Sequence, residues 1–289
     1  MHPIVGSEEM AAGRLTRAAL RWNYTAIHPN IYLPKDAPRT PNARILSAYL
    51  WTGRKGIIAG RAAAREHGVY WALTTHDVDV IAKHRRPVPG VEIHDERIGQ
   101  DEISGGEPLL TSPARTALDI GRRLPRAEAL TVLDALAAQT GVTVAEVQEL
   151  AARYPGMRGI PAAREVVNLM DAGSGSREET LLRLSLVDYG LPRPTTDIVL
   201  EDKHWSARIA MGWEWARVGV SFDPGGSRDV YSDVQRLNTD ELVQRLGWLH
   251  IRAHPQRVPQ LVRFQVREAL LSRGYRRRQW LLTRAAAMR

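Results

Sequence analysis

The sequence contains no cysteine. This absence excludes disulfides, thiolate nucleophiles, zinc fingers and iron–sulfur clusters, so any metal ion would need histidine and carboxylate ligands. Long apolar runs are also missing, because no stretch approaches the roughly 18 apolar residues of a membrane helix. The first residues carry Glu8 and Glu9 where a signal peptide has an apolar run. We therefore expect a cytoplasmic protein with no membrane partner.

Lysine is scarce, since only four of the 40 basic residues are Lys. The net charge of +8 arises near the C-terminus, where residues 252–289 contain ten Arg and one acid, Glu268, while residues 1–251 sum to −1. Such a block is typical of a surface that faces a polyanion, or of a solvated tail. Arginine binds phosphate as a bidentate fork and so favours nucleic acid, although a GC-rich genome produces the same bias.

The composition, 44% apolar and 25% charged over 289 residues, is that of a globular protein long enough for two domains. Residues 1–125 mix helix and strand patterns without a βαβ alternation, which predicts an α+β domain. Residues 126–172 are rich in Ala and Leu and predict a helical connector that ends in a flexible linker. Residues 173–275 predict an α/β domain, and residues 276–289 form a basic tail.

The predicted order in the C-terminal domain is helix, three strands, helix, strand, helix. The expected elements are Arg177 to Tyr189, Thr195 to Leu200, Ala207 to Trp213, Arg217 to Phe222, Val230 to Leu246, Trp248 to Arg252 and Gln260 to Arg273.

Short motifs lie at the joints of these elements. They are Ser176-Arg177-Glu178-Glu179-Thr180-Leu181-Leu182-Arg183, Gly190-Leu191-Pro192, Val218-Gly219-Val220-Ser221-Phe222-Asp223, Asp233 with Arg236, and Gly247-Trp248 running into Ile251-Arg252. In this order and spacing the segment 174–274 resembles the relatives of the very-short-patch-repair endonuclease, which have a restriction-endonuclease-like fold.

That resemblance implies a divalent metal, Mg or Mn, held by carboxylates from the first helix and two adjacent strands, which activates water for attack on phosphate. Glu179 matches the helix acid, and Asp223 matches an acid of the strand motif. Ala210 and Ser221 stand where the family has two further carboxylates, and the histidine that follows the motif is missing. We therefore expect a degenerate active site without a cofactor.

Both remaining acids also have structural interpretations. Ser176 followed by Glu179 fits a capping box, in which the Glu bonds back to the start of its helix. Asp223 precedes Pro224 and fits a turn as well as a remnant metal ligand. A metal-dependent DNA endonuclease that uses Glu179 and Asp223 remains the alternative function.

Motifs in the first 125 residues resemble a different family. They are Gly13-Arg14-Leu15-Thr16-Arg17, Asn30-Ile31-Tyr32, Ala59-Gly60-Arg61-Ala62-Ala63-Ala64 with His67-Gly68, and Leu110-Thr111-Ser112-Pro113-Ala114-Arg115-Thr116-Ala117-Leu118-Asp119. Over residues 10–125 they are similar to the AbiEi type of antitoxin-like regulators. The resemblance implies a small winged helix that binds DNA, followed by a domain that completes the regulator.

Two groups of arginines are candidate nucleic-acid contacts. One predicted helix over residues 8–22 places Arg14, Arg17 and Arg21 on a single basic stripe, although a solvated face has the same pattern. The second group lies around Gly274, where the final helix is predicted to end, and consists of Arg273, Arg276, Arg277 and Arg278. We expect Arg115 to pair with Asp119, four residues later on the same helix.

The sequence thus predicts a nucleic-acid-binding regulator or antitoxin-like protein with a catalytically degenerate nuclease fold. DNA is the expected partner. A second alternative is a module that binds a protein partner, such as a cognate toxin.

Overall fold

The structure is a computed structural model that describes residues 2–83, 86–203, 205–224, 230–255 and 259–276. The chain divides into two units, Met1–Met170 and Asp171–Arg289. Helices and strands are mixed in both, and the strands form three sheets. The expected mixture of helix and strand is confirmed.

The first unit opens with a small helical pair and a hairpin. Its elements are β1 (Ile4–Val5), α1 (Gly6–Ala11), α2 (Arg17–Asn23), β2 (Tyr24–His28) and β3 (Ile31–Pro34), and the strands form an antiparallel sheet of order β1-β3-β2. The prediction of one helix over 8–22 is wrong. Gly13 adopts φ +68°, and the hydroxyl of Thr16 accepts a hydrogen bond from Ala19 N at 3.1 Å, so a new helix begins after Thr16.

A five-stranded sheet follows in the same unit. The elements are α3 (Pro41–Trp51), β4 (Ile57–Ile58), α4 (Gly60–Glu66), β5 (Val78–Ile81), β6 (Val91–His94), β7 (Ile103–Ser104), β8 (Leu110–Thr111) and α5 (Pro113–Arg123). The strand order is β6-β5-β4-β8-β7, with β5 parallel to β6 and β4 parallel to β8. Helix α5 begins as the sequence predicts, because Ser112 caps it and Pro113 is its first residue.

Three further helices pack on α5: α6 (Arg126–Thr140), α7 (Val144–Arg153) and α8 (Ile160–Val167). Gly121 of α5 allows close contact with α8, because a Cβ there would lie 3.1 Å from Cα of Ala163. Residues 126–170 therefore pack as part of the first unit. Within the described residues no single helix is long and apolar enough to cross a membrane, although the bent pair α6 and α7 together meets the same length and composition test.

The second unit has the element order expected from its sequence. It consists of α9 (Arg177–Asp188), β9 (Thr195–Glu201), β10 (Ser206–Trp213), β11 (Val218–Phe222), α10 (Val230–Arg245), β12 (Leu249–Ala253) and α11 (Pro259–Ser272). Strands β9, β10 and β11 form an antiparallel meander, and β12 returns through α10 to pair in parallel with β11. The sheet order is β12-β11-β10-β9.

Helices cover both faces of this sheet. Helices α9 and α11 pack on β11, and their Leu186 and Val266 are fully buried against Val220. Helix α10 packs on β9 and β10, where Val243 meets Ile209. The second unit is therefore a three-layer arrangement, with the sheet between helix α10 and helices α9 and α11.

Candidate functional site

Neutral groups occupy the strand positions where the nuclease resemblance implies acids. Ser221 Oγ accepts a hydrogen bond from Ala210 N at 3.2 Å, just beyond the last paired residues of β10 and β11. Nε2 of His250 lies 3.0 Å from the same hydroxyl. Burial lowers the pKa of His250, and the nearby Arg252 lowers it further, which favours a neutral ring. The Ser221 hydroxyl thus accepts a backbone hydrogen bond from the neighbouring strand β10, and it offers no anionic ligand to a metal.

Glu179 bonds back to the start of its own helix. Its Oε2 accepts a hydrogen bond from Gly175 N at 2.8 Å, and Ser176 Oγ accepts one from Glu179 N at 3.1 Å. The N-cap half of the predicted capping box is confirmed, but the Glu179 carboxylate accepts from the residue before the cap, Gly175, instead of from Ser176 N. Arg208 of β10 lies against the same turn, because a Cβ on Gly175 would be 3.2 Å from Glu179 Oε2 and 3.5 Å from Arg208 Nη2. Arg208 also forms an ion pair with Asp197.

Asp223 lies at the end of β11. Its backbone N–H donates to the carbonyl of Ala253 at 2.8 Å, which extends the pairing of β11 with β12. Within the described part of the chain, neither Glu179 nor Asp223 belongs to a group of three converging histidine or carboxylate ligands.

The arginines near the N-terminus have different surroundings. Arg14 lies in the turn between α1 and α2, and its guanidinium forms a bidentate pair with Glu9 at 2.7 and 2.9 Å. The predicted single stripe of Arg14, Arg17 and Arg21 is therefore wrong, because α2 begins only at Arg17 and the charge of Arg14 is already paired.

Arg17 and Arg21 lie one turn apart on α2 and are both exposed. Among the described residues no carboxylate lies within ion-pair distance of either guanidinium. The next residue, Trp22, is 74% exposed. Helix α2 leads directly into the β2–β3 hairpin, whose turn contains Asn30 at φ +66°. Helix α2 therefore exposes two arginines one turn apart, and its exposed Trp22 projects about 100° around the helix from Arg21.

The second group of arginines is described only in part. Arg273 Nη2 donates to the carbonyl of Gly247 at 2.9 Å, so this side chain ties the end of α11 to the loop before β12. Arg276 is exposed. Arg277 and Arg278 lie outside the described residues.

A cluster that the sequence analysis missed lies in the first unit. Asp79 of β5 pairs in register with Glu92 of β6, and His94 lies two residues further along β6 on the same face. One ligand atom from each side chain lies within 4.8 Å of the others, and Nε2 of His94 is 2.8 Å from Oδ1 of Asp79. The only sequence signal is the Glu-x-His alternation in one strand beside an Asp in another, which requires knowledge of the register.

A network of ion pairs lies beside this cluster. The predicted pair of Arg115 with Asp119 is confirmed at 3.1 Å, and Arg115 also contacts Glu96 and Glu102. Burial raises the pKa of Glu96, but the guanidinium groups of Arg123, Arg122 and Arg115 together outweigh it and hold the pKa below its usual range. The network joins α5 to the segment between β6 and β7.

Comparison with known proteins gives relatives but no activity. No protein-family model matches the chain, and no solved structure matches it significantly. The chain is 31% identical over 172 residues to two uncharacterized proteins of Mycobacterium tuberculosis, MT2308 of strain CDC 1551 / Oshkosh and Rv2248 of strain ATCC 25618 / H37Rv. The match covers 56% of this chain and 60% of the length of each relative.

Proposed function

We propose that the protein is a nucleic-acid-binding regulator of the AbiEi-like type, whose second unit is a restriction-endonuclease-like domain without metal-dependent chemistry. The observation that carries the proposal is the set of exposed side chains on α2, namely Arg17 and Arg21 one turn apart and Trp22 next to Arg21, beside a hairpin. Its expected partner is DNA, and we expect it to act without a cofactor in the second unit.

The exposed Arg17, Arg21 and Trp22 of α2 have the chemistry of a surface that contacts phosphates and bases. Exposed guanidinium groups without a protein carboxylate are available for bidentate contacts to phosphate oxygens. The indole of Trp22 adds an apolar plane that stacks on an unpaired base or packs on a sugar. Exposure of so large an aromatic side chain is costly in water, and burial against a ligand removes that cost.

The surroundings of α2 support the same proposal. A recognition helix requires a second helix that holds it in place, and α1 precedes α2 at a short turn. Gly6 at the start of α1 packs closely on the small sheet, because a Cβ there would lie 2.6 Å from the ring of Tyr32. Helix α3 packs on β1, β2 and β3 and supplies a third helix from later in the chain.

The strand order of the second unit supports the nuclease-like part of the proposal. An antiparallel meander followed by a helix and a parallel strand is the order that the resemblance implies. The loss of chemistry rests on the neutral Ser221 and His250 pair and on the hydrogen bond that holds Glu179 to Gly175. A hard divalent cation needs several oxygen ligands at one point.

The test is an equilibrium titration of labelled duplex and single-stranded DNA with the full chain, with and without Mg²⁺. The double variant Arg17→Ala/Arg21→Ala removes both unpaired charges of α2. The matched control is Glu9→Gln/Arg14→Gln, which removes an internally paired arginine nearby and leaves the net charge unchanged.

We expect the Arg17/Arg21 variant to bind at least about tenfold more weakly, since each charge-assisted phosphate contact contributes on the order of 1 kcal/mol. The control should bind like the wild type. Failure of the wild type to bind either DNA at low salt would overturn the proposal and favour a protein partner such as a toxin.

A further inference from the structure

The Asp79, Glu92 and His94 cluster faces a cavity of about 570 Å³ in the first unit. The parallel pairing of β5 with β6 fixes the spacing of the cluster, because all three side chains project from one face of neighbouring strands. The rim carries His76, Asp77 and Arg158 in addition to four other charged groups, and these three are exposed. A small ion reaches the cluster from solvent through this opening.

The separation of the ligand atoms suits a single ion. Two ligands that bind one ion at about 2.1 Å and at right angles are about 3 Å apart. Nε2 of His94 and Oδ1 of Asp79 form a hydrogen bond of 2.8 Å, so an ion that binds both atoms would replace the proton between them with little change in their separation. Glu92 is exposed at the same point, and it forms no hydrogen bond or ion pair with any described residue. Its carboxylate is therefore available to close a three-ligand set.

The arginines near the cluster are held by other acids. Glu96 accepts from Arg122 at 2.7 Å and from Arg123 at 3.0 Å, and Asp119 accepts from Arg122 at 3.0 Å. Arg123 Nη1 comes no closer than 3.6 Å to Asp79, and this buried nitrogen has no hydrogen-bond partner. Arg122 and Arg123 therefore make their hydrogen bonds to Glu96 and Asp119, and Asp79 keeps only a longer ion pair with Arg123 at 3.6 Å beside its contact with His94.

Backbone packing holds the Asp79 carboxylate in place. Gly60, the first residue of α4, has φ +53°, and a Cβ there would lie 2.6 Å from Oδ2 of Asp79. The Asp79 carboxylate therefore occupies the space that the Cβ of any other residue at position 60 would need. The side chain of Asp79 is 15% exposed and that of His94 is 13% exposed, so solvent reaches both while most of each side chain is packed against the protein.

We propose that Asp79, Glu92 and His94 bind one divalent first-row transition-metal ion, such as Mn²⁺ or Zn²⁺. One imidazole with two carboxylates is a donor set that these ions accept, whereas Mg²⁺ and Ca²⁺ prefer oxygen ligands alone. Three protein ligands at a cavity wall leave coordination positions open toward solvent, which is the arrangement of metal sites that bind water or a substrate. The site is independent of the DNA-binding surface on α2.

The test uses the full chain after chelator treatment and dialysis. Free Mn²⁺ is followed by its electron paramagnetic resonance signal, and Co²⁺ is followed by its visible d–d absorption, whose position and intensity change with the set of ligands and their geometry. The variants are Glu92→Gln, which alters an exposed ligand without disturbing the core, and His94→Gln. The matched control is Asp77→Asn, an exposed acid on the rim of the same cavity.

We expect one Mn²⁺ per chain in the wild type and in Asp77→Asn. Glu92→Gln should weaken the affinity for Mn²⁺ by about tenfold or more. His94→Gln should weaken it as well, and it should also shift the visible d–d bands of bound Co²⁺, because the imidazole ligand is lost. The metal should raise the melting temperature of the wild type but not of Glu92→Gln, while the two metal-free proteins melt alike.

Two results would overturn the proposal. One is the absence of saturable binding up to about 1 mM metal, the weak end of protein metal sites. The other is binding that survives both Glu92→Gln and His94→Gln, or that Asp77→Asn abolishes, because the ion would then lie elsewhere.

Discussion

Nη1 of Arg115 lies 2.6 Å from Oε2 of Glu102, and both side chains are enclosed by the first unit, with exposures of 0% and 3%. The same guanidinium contacts Asp119, whose side chain is also fully buried. A buried charge is tolerated only when partners surround it, so each member of this set depends on the others.

Arg115→Met should therefore lower the free energy of unfolding by about 3–5 kcal/mol, because it removes the cation that pairs with the buried Glu102 and one of the guanidinium partners of the buried Asp119. Urea denaturation measures the loss. The control is Arg153→Met, which breaks the exposed pair of Arg153 with Asp101 and should leave the denaturation midpoint unchanged. Equal, small effects of the two variants would contradict the buried network.

The buried His250 should make stability fall in mild acid. Burial lowers its pKa in the folded state, so below the ordinary histidine pKa of about 6.5 the unfolded chain binds a proton that the folded chain does not. The stabilising contribution is complete above about pH 6.5 and is lost as the pH falls toward the lower folded value, by up to about 1.4 kcal/mol per pH unit.

Urea denaturation midpoints measured from about pH 7 to about pH 5, within the range where histidine changes charge, test this pH dependence of stability. His250→Gln should flatten the pH dependence, whereas His76→Gln, at an exposed site, should retain it. His28, whose pKa burial also lowers, leaves part of the slope in both variants. The same pH dependence in both variants would contradict the assignment to His250.

Nuclease activity should be absent with Mg²⁺ or Mn²⁺, because Ala210 and Ser221 supply no carboxylate beside Glu179. Supercoiled plasmid incubated with pure protein should stay intact. Cleavage that Glu179→Gln abolishes would establish the alternative function, a metal-dependent endonuclease. Cleavage that persists in Glu179→Gln would indicate a contaminant.

The C-terminal arginine block should contribute to the salt dependence of binding if it contacts phosphates. Each lost contact flattens the log–log dependence of the binding constant on salt by about 0.9 for duplex DNA. Replacement of Arg276, Arg277 and Arg278 by Ser should reduce the slope by up to about three units, with an unchanged melting temperature. An unaltered slope would identify the block as a solvated tail.

Much of the second unit is predictable from its sequence because local signals agree there. The apolar spacing of α9 and the glycine after it predict a helix from Arg177, and the structure ends that helix at Asp188, one residue before the expected end. The three strand-like runs follow one another in quick succession, and Pro224-Gly225-Gly226 ends the third. Each predicted end lies within one residue of the observed one.

The candidate sites were harder to predict, because they depend on long-range pairing. Nothing local joins Asp79 to His94; the parallel register of β5 and β6 brings them together. The stripe over Arg14, Arg17 and Arg21 failed for a local reason, since Gly13 and Thr16 divide the expected helix. The helical period of 3.6 residues does not relate Arg14 to Arg17 and Arg21, because the turn between α1 and α2 lies between them.

The salt dependence of duplex binding is the measurement that tests the DNA-binding account most directly. If α2 contacts the phosphate backbone, the slope of log binding constant against log salt should become shallower by about 1.8 in Arg17→Ala/Arg21→Ala, which is about 0.9 for each contact. Glu9→Gln/Arg14→Gln should retain the wild-type slope. Identical slopes in the wild type and the Arg17/Arg21 variant would contradict the assignment of this surface.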